Sequence, residues 1–167
     1  MLLKYNYIIN IMHLVIKPDQ YEVNNIMISD KTKNNIMNNS DFYRIYFSDE
    51  NITFNGLSIL LELNNITIEK YFNKIKLHFE NNQLNNETVK YIKSIEKSIL
   101  NKFKMINDKQ IYRIEEQLLN NFIKIFDENI INIGKYNNLK LLLKISGIWS
   151  QSHHKEYGLT FRFFIIN

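Results

Sequence analysis

Four stretches of this sequence alternate between apolar and polar positions, and a period of two commits a chain to strands whose two faces differ. In Phe42–Ser48, Tyr43, Ile45 and Phe47 fall on one face and Phe42, Arg44 and Tyr46 on the other. In Tyr71–Phe79, Tyr71, Ile75, Leu77 and Phe79 oppose Phe72, Lys74, Lys76 and His78. Leu139–Trp149 sets Leu139, Leu141, Leu143 and Ile145 against Lys140 and Lys144. Tyr157–Ile166 sets Tyr157, Leu159, Phe161 and Phe163 against Thr160, Arg162 and Phe164. Each segment has a dry face and a face rich in cations or rings.

Between and around these strands the remaining elements read as follows. Ile11–Ile16 and Tyr21–Ile28 are short strands about a turn at Pro18-Asp19, and Ser29–Ser40 is a polar loop. Asp49–Asn51 is a turn. Ile52–Leu63 is a strand with Asn55-Gly56 inside it, either a hairpin turn or a bulge. Glu87–Phe103 is the clearest helix: Val89, Ile92, Ile95, Ile99 and Phe103 form one apolar stripe, Lys90, Lys93, Lys97 and Lys104 lie away from it, and Asn86 serves as N-cap. Lys109–Phe122 reads as a second helix. Ser150–Glu156 joins the last two strands as a hairpin loop. The expected fold is therefore mainly β with helices, an α+β arrangement. Its expected form is a small Greek-key barrel of the oligonucleotide-binding type, with one or two helices before the last two strands. A generic α+β domain is the alternative. The 167 residues read as one domain, residues 1–35 an N-terminal arm or pair of strands and 36–167 the barrel.

Composition narrows the chemistry. The absence of cysteine excludes disulfides, thiolate metal sites and cysteine nucleophiles. The formal charge of +4 permits a polyanionic partner without requiring one. Abundant Ile and Asn reflect AT-rich codons, and the Asn pairs mark loops. Met1–Ile16 is interrupted by Lys4, Asn6, Asn10 and His13, so no targeting segment or membrane span is expected. Gly56, Gly134, Gly147 and Gly158 are too scattered for a phosphate loop, and no serine sits in a nucleophile elbow. His13, His78, His153 and His154 have no carboxylates at metal-ligand spacing. Glu115 and Glu116, adjacent on a helix, do not face one another and read as a solvated face. Neither an enzyme nor a metal site is expected.

What the cation-and-ring faces do suit is a single nucleic-acid strand. Lys and Arg neutralise phosphates, and exposed rings stack on bases with little regard to sequence. On this reading Arg44, Lys74, Lys76, Lys140, Lys144 and Arg162 contact phosphates, and Tyr46, Phe72 and Phe164 stack on bases; Trp149, ending its strand, is either a further stacking ring or a core or rim residue. A solvated sheet face would produce the same alternation. The competing reading is a structural or adaptor protein of a virion or replication complex that binds another protein through its amphipathic helices.

Two segments carry a resemblance: Phe42-Tyr43-Arg44-Ile45-Tyr46-Phe47-Ser48 with Phe54-Asn55-Gly56-Leu57, and Leu143-Lys144-Ile145-Ser146-Gly147-Ile148-Trp149 with Tyr157-Gly158-Leu159-Thr160-Phe161-Arg162-Phe163. Between them lies Ile111-Tyr112-Arg113-Ile114-Glu115-Glu116-Gln117-Leu118. From about Ile36 onward the chain resembles the single-stranded DNA-binding proteins of nucleo-cytoplasmic large DNA viruses, related to the phage type. That resemblance implies an oligonucleotide-binding barrel, a role in viral DNA replication, recombination or repair, no cofactor, and a place in host cytoplasm or viral factory. It also implies viral replication proteins as partners. Phage-type members end in an acidic recruiting tail. The sequence here ends Arg162-Phe163-Phe164-Ile165-Ile166-Asn167, so recruitment through such a tail is not expected.

Overall fold

The computed structural model describes residues 15–16, 20–72, 74–125 and 132–166. Most of the expected strand Ile11–Ile16, and the Pro18-Asp19 turn, lie outside them. Among the described residues the architecture is a mainly antiparallel sheet with two α-helices, an α+β fold. Its strands are β1 (Val15–Ile16), β2 (Ile26–Lys33), β3 (Asp41–Ser48), β4 (Thr53–Asn55), β5 (Leu57–Tyr71), β6 (Lys74–Phe79), β7 (Lys109–Ile111), β8 (Phe122–Ile125), β9 (Gly134–Gln151) and β10 (Glu156–Ile166). The helices are α1 (Gln83–Phe103) and α2 (Arg113–Leu119), both before the last two strands.

The long strand β9 organises the sheet. One of its edges is shared: β3 takes Gly147–Ser150 and β5 takes Gly134–Ile145. The other edge carries β10 from Gln151 to Lys140. Beyond β5 the sheet continues through β6 to β8, and beyond β3 it ends at β2. The sheet curls until β8 lies near β10, but among the described residues no ladder joins them. The expected closed barrel is thus not observed; the sheet is open along a seam between β8 and β10.

The alternation places side chains as the period of two requires. Ile45, Leu57, Ile59, Leu77, Leu141, Leu143, Ile145 and Leu159 are buried in one core. Helix α1 covers that core with Val89, Ile92, Ile95 and Ile99, each buried. Burying an aliphatic side chain of this size contributes roughly 1.5–3 kcal/mol, so this stripe is a main source of the helix's stability. Phe103 closes the far end, its ring 4.6 Å from Tyr43 and 5.6 Å from Tyr157.

Several boundaries differ from expectation, each for a local reason. Helix α1 begins at Gln83, not Glu87, and Asn82 rather than Asn86 caps it, accepting from the Asn85 amide at 2.9 Å. Asn85 is buried: its Oδ1 accepts from Asn64 N at 2.8 Å, and its Nδ2 donates to Asn64 O and Glu80 O at 2.8 and 2.7 Å. That side chain ties the first helical turn to β5, which compensates for the poor helix propensity of an Asn-rich start. Asn64-Asn65 lies inside β5 rather than ending a strand. A 3-10 turn occupies Val23–Asn25, and strand β2 starts only at Ile26 and runs on to Lys33, so the true loop is 34–40. Residues 26–33 therefore belong to the sheet and not to a separate arm. Lys109–Phe122 is not one helix: β7 pairs in parallel with β10, α2 follows, and Asn121, at φ 53°, turns the chain so that Phe122 enters β8. Tyr71 ends β5, and Phe72, at φ 51°, stands in the turn before β6.

Two glycines shape the junction where β3 and β5 meet β9. Gly56 adopts φ +89°, which favours glycine, and bends the chain from β4 into β5. At Gly147, paired with Arg44, a Cβ would lie 2.3 Å from Phe42 Cζ and 2.5 Å from the Tyr43 carbonyl oxygen. Because one of those atoms is backbone, Gly147→Ala is expected to push β3 off β9 and cost about 1–3 kcal/mol, read as a lower denaturation midpoint in urea. An unchanged midpoint would show that β3 yields without strain.

Candidate nucleic-acid interface

Pairing across β3, β9 and β10 builds the outer face. Arg162 is opposite Lys144, Phe164 opposite Leu142, and Phe42 opposite Trp149. A depression of about 550 Å³ lies on this face, lined among others by Phe42, Arg44, Lys144, Arg162 and Phe164, with Lys33 from the end of β2. Loop 34–40 forms one bank, where Ile36 is exposed; Asn34 Oδ1 shapes that loop by accepting from Ile36 N and Met37 N at 3.0 and 3.2 Å. The Arg44 guanidinium stands 5.9 Å from the Phe42 ring centroid and donates to Asn55 Oδ1 at 3.2 Å.

A smaller depression of about 270 Å³ adjoins the first and shares Thr160 and Arg162 with it. Arg113 from α2 and Lys124 from β8 line it, with Trp149 in its wall. Among the described residues no carboxylate lines either depression. Among the described residues Lys33, Arg44, Arg113, Lys124, Lys144 and Arg162 make no ion pair. Six cations thus lie around two adjoining hollows, an arrangement that suits an anionic ligand.

The residues singled out from the sequence are divided by the structure. Arg44, Lys144, Arg162 and Phe164 come together in the larger depression. Tyr46 is half-buried on the same strand as Arg44 and next to Gly56. Trp149 is 3% exposed and lies beneath the Arg113 guanidinium, 4.9 Å away, so its ring is covered rather than offered to a base. Lys140 is exposed further along β9, opposite Glu62 and Ile166. Lys76 is on β6, its ammonium 4.7 Å from the Phe122 ring. Phe72, 80% exposed, and Lys74 are at the β5–β6 turn, away from the depressions. Lys33, Arg113 and Lys124 escaped the sequence reading, and Phe42, though placed on the outward face, was not singled out for the site. Phe42 alone had a visible signal, since its position beside Arg44 in the alternation gives it the same face.

Behind Arg113 is a buried acid that the sequence did not flag. Glu96 on α1 is fully buried and accepts from Ile114 N at 3.1 Å and Glu115 N at 2.8 Å. It caps the first turn of α2, as a carboxylate at a helix N-terminus does favourably. Burial pushes its carboxyl up to about 7, against the lowering effect of the two backbone N–H groups. Glu115 is not simply solvated: Lys93 bonds it at 2.8 Å and Lys97 lies at 3.5 Å, and the Lys93 bond holds its carboxyl below the ordinary range.

Among the described residues no group of three His, Asp or Glu side chains is placed to hold a metal ion, and no helix is long and apolar enough to cross a membrane. Set against protein-family models, curated proteins and solved structures, the chain gives no match.

Proposed function

We propose that the outer face of β3, β9 and β10 binds single-stranded nucleic acid, DNA in the first instance, without strong sequence preference. The observation that carries this reading is the larger depression, where Arg44, Lys144, Arg162 and Lys33 join Phe42 and Phe164 and, among the described residues, no acidic side chain is in the lining. Cations along a hollow neutralise a phosphate backbone, and half-buried rings at its floor give bases an apolar surface to stack on. The curled sheet, open at one seam, is consistent with an oligonucleotide-binding barrel. Of the segments that resemble viral single-stranded DNA-binding proteins, Phe42–Ser48, Leu143–Trp149 and Tyr157–Phe163 lie in β3, β9 and β10, the strands that make this face. A role in viral DNA replication, recombination or repair belongs to the same proposal.

The adaptor reading finds less support. Its apolar stripe on α1 is buried under the sheet, so a second protein has no access to it.

Titration of labelled oligo-dT by fluorescence anisotropy, repeated from low to moderate salt, tests the proposal. Binding should weaken steadily with salt, with a slope of roughly 0.7 per phosphate neutralised. Absence of binding at low salt, or binding indifferent to salt, would sink it.

A further inference from the structure

The smaller depression and the strands beyond it carry a second inference, which rests on the reading above. Arg162 and Thr160 belong to both hollows, so a ligand in the first is already at the mouth of the second. Lys124, in the second, also stands 5.5 Å from the Phe122 ring, and Lys76 stands 4.7 Å from the same ring. Two ammonium groups therefore share one aromatic ring on the outer face of β6 and β8. The acid nearest in register is Glu69, opposite Lys76, and its carboxylate is 3.6 Å from His78. Neither lysine makes an ion pair among the described residues.

We propose that a bound single strand leaves the larger depression at Arg162, passes Arg113, crosses the open seam between β10 and β8, and ends on Lys124 and Lys76. The cations then form one path round the outside of the curled sheet instead of two unrelated patches. A flexible single strand can follow that curve. A duplex cannot without a large bending cost, since its persistence length is about 150 base pairs. The path also gives a role to the Arg113–Trp149 stack, which holds the guanidinium at the midpoint of the route.

The test compares two oligo-dT lengths, about five and about fifteen nucleotides, near the ends of the range of site sizes known for one oligonucleotide-binding fold. The variant is K76Q/K124Q, which removes two cations from the far end and leaves the larger depression intact. Affinity for the long oligonucleotide should fall about ten-fold and its salt slope should become shallower by about 1, while the short oligonucleotide binds within about two-fold of the unaltered protein. R113Q should give the same length-dependent pattern, and circular dichroism melts should show both variants folded. Equal losses on both lengths, or no loss on the long one, would overturn the path while leaving the larger depression as the site. If the unaltered protein binds neither length, the underlying reading fails as well.

Discussion

Replacing Arg44, Lys144 and Arg162 together by Gln should lower affinity for oligo-dT by about 100-fold at low salt. The dependence of log affinity on log salt should become shallower by about 2, because each phosphate contact on a single strand contributes roughly 0.7 to the slope. The three side chains come from β3, β9 and β10, and their convergence on one hollow is what the proposal uses. Stability should change little. None of the three makes an ion pair among the described residues, and Arg44 has one side-chain hydrogen bond, to Asn55. Anisotropy titrations at three or more salt concentrations decide the matter. An unaltered slope would mean that phosphates do not sit here.

Glu96→Ala should damage the fold, costing about 2–4 kcal/mol. It leaves the Ile114 and Glu115 amides without their acceptor and opens a cavity between α1 and α2. Glu96→Gln separates the charge from the shape. In the native protein the Glu96 carboxyl holds its proton up to about pH 7, whereas the ordinary value is 4.5. The folded state therefore binds more protons between those two values. Stability attributable to Glu96 is fully present below pH 4.5 and falls as pH rises towards 7, by up to about 3 kcal/mol. Glu115 works in the opposite sense: with its carboxyl held down by Lys93, it contributes stability above the ordinary carboxylate range that is lost on acidification. The difference between the unaltered protein and E96Q isolates the Glu96 contribution. Urea denaturation at pH 4, 5, 6, 7 and 8 should show that difference changing across pH 4.5–7 and flat above it. A constant difference would mean that the carboxyl ionises in its ordinary range.

The legible parts of this fold were those governed by side-chain period. Tyr43, Ile45 and Phe47, or Leu141, Leu143 and Ile145, point inward because alternate residues of a strand must, and the α1 stripe is buried because its spacing matches one helical face. The parts that misled were decided by partners far away in sequence. Lys109–Ile111 became a strand because β10 was there to pair with it, and Asn85 was drawn into the helix by the backbone of Asn64. The site shows the same division. Alternation put Arg44, Lys144 and Arg162 on outward faces, but only the pairing of β3 and β10 with one strand brings them side by side. Phe72 and Lys74 alternate just as regularly, yet their hairpin projects elsewhere. For Trp149, which the sequence left between stacking and packing, Arg113, distant in sequence, covers the ring.

The position of β9 in the chain has a consequence for biosynthesis. β9 emerges late, yet it is the neighbour that both β3 and β5 require, joining Asp41 to Ser150 and Leu57 to Ile145. Until it is made, two long strands have exposed, unsatisfied backbone edges, and such edges attract other copies of the same chain. Contacts this remote in sequence also slow folding. A nascent polypeptide halted before Gly134 should thus be a target for chaperones and prone to aggregate, and synthesis of β9 is the step that renders it safe.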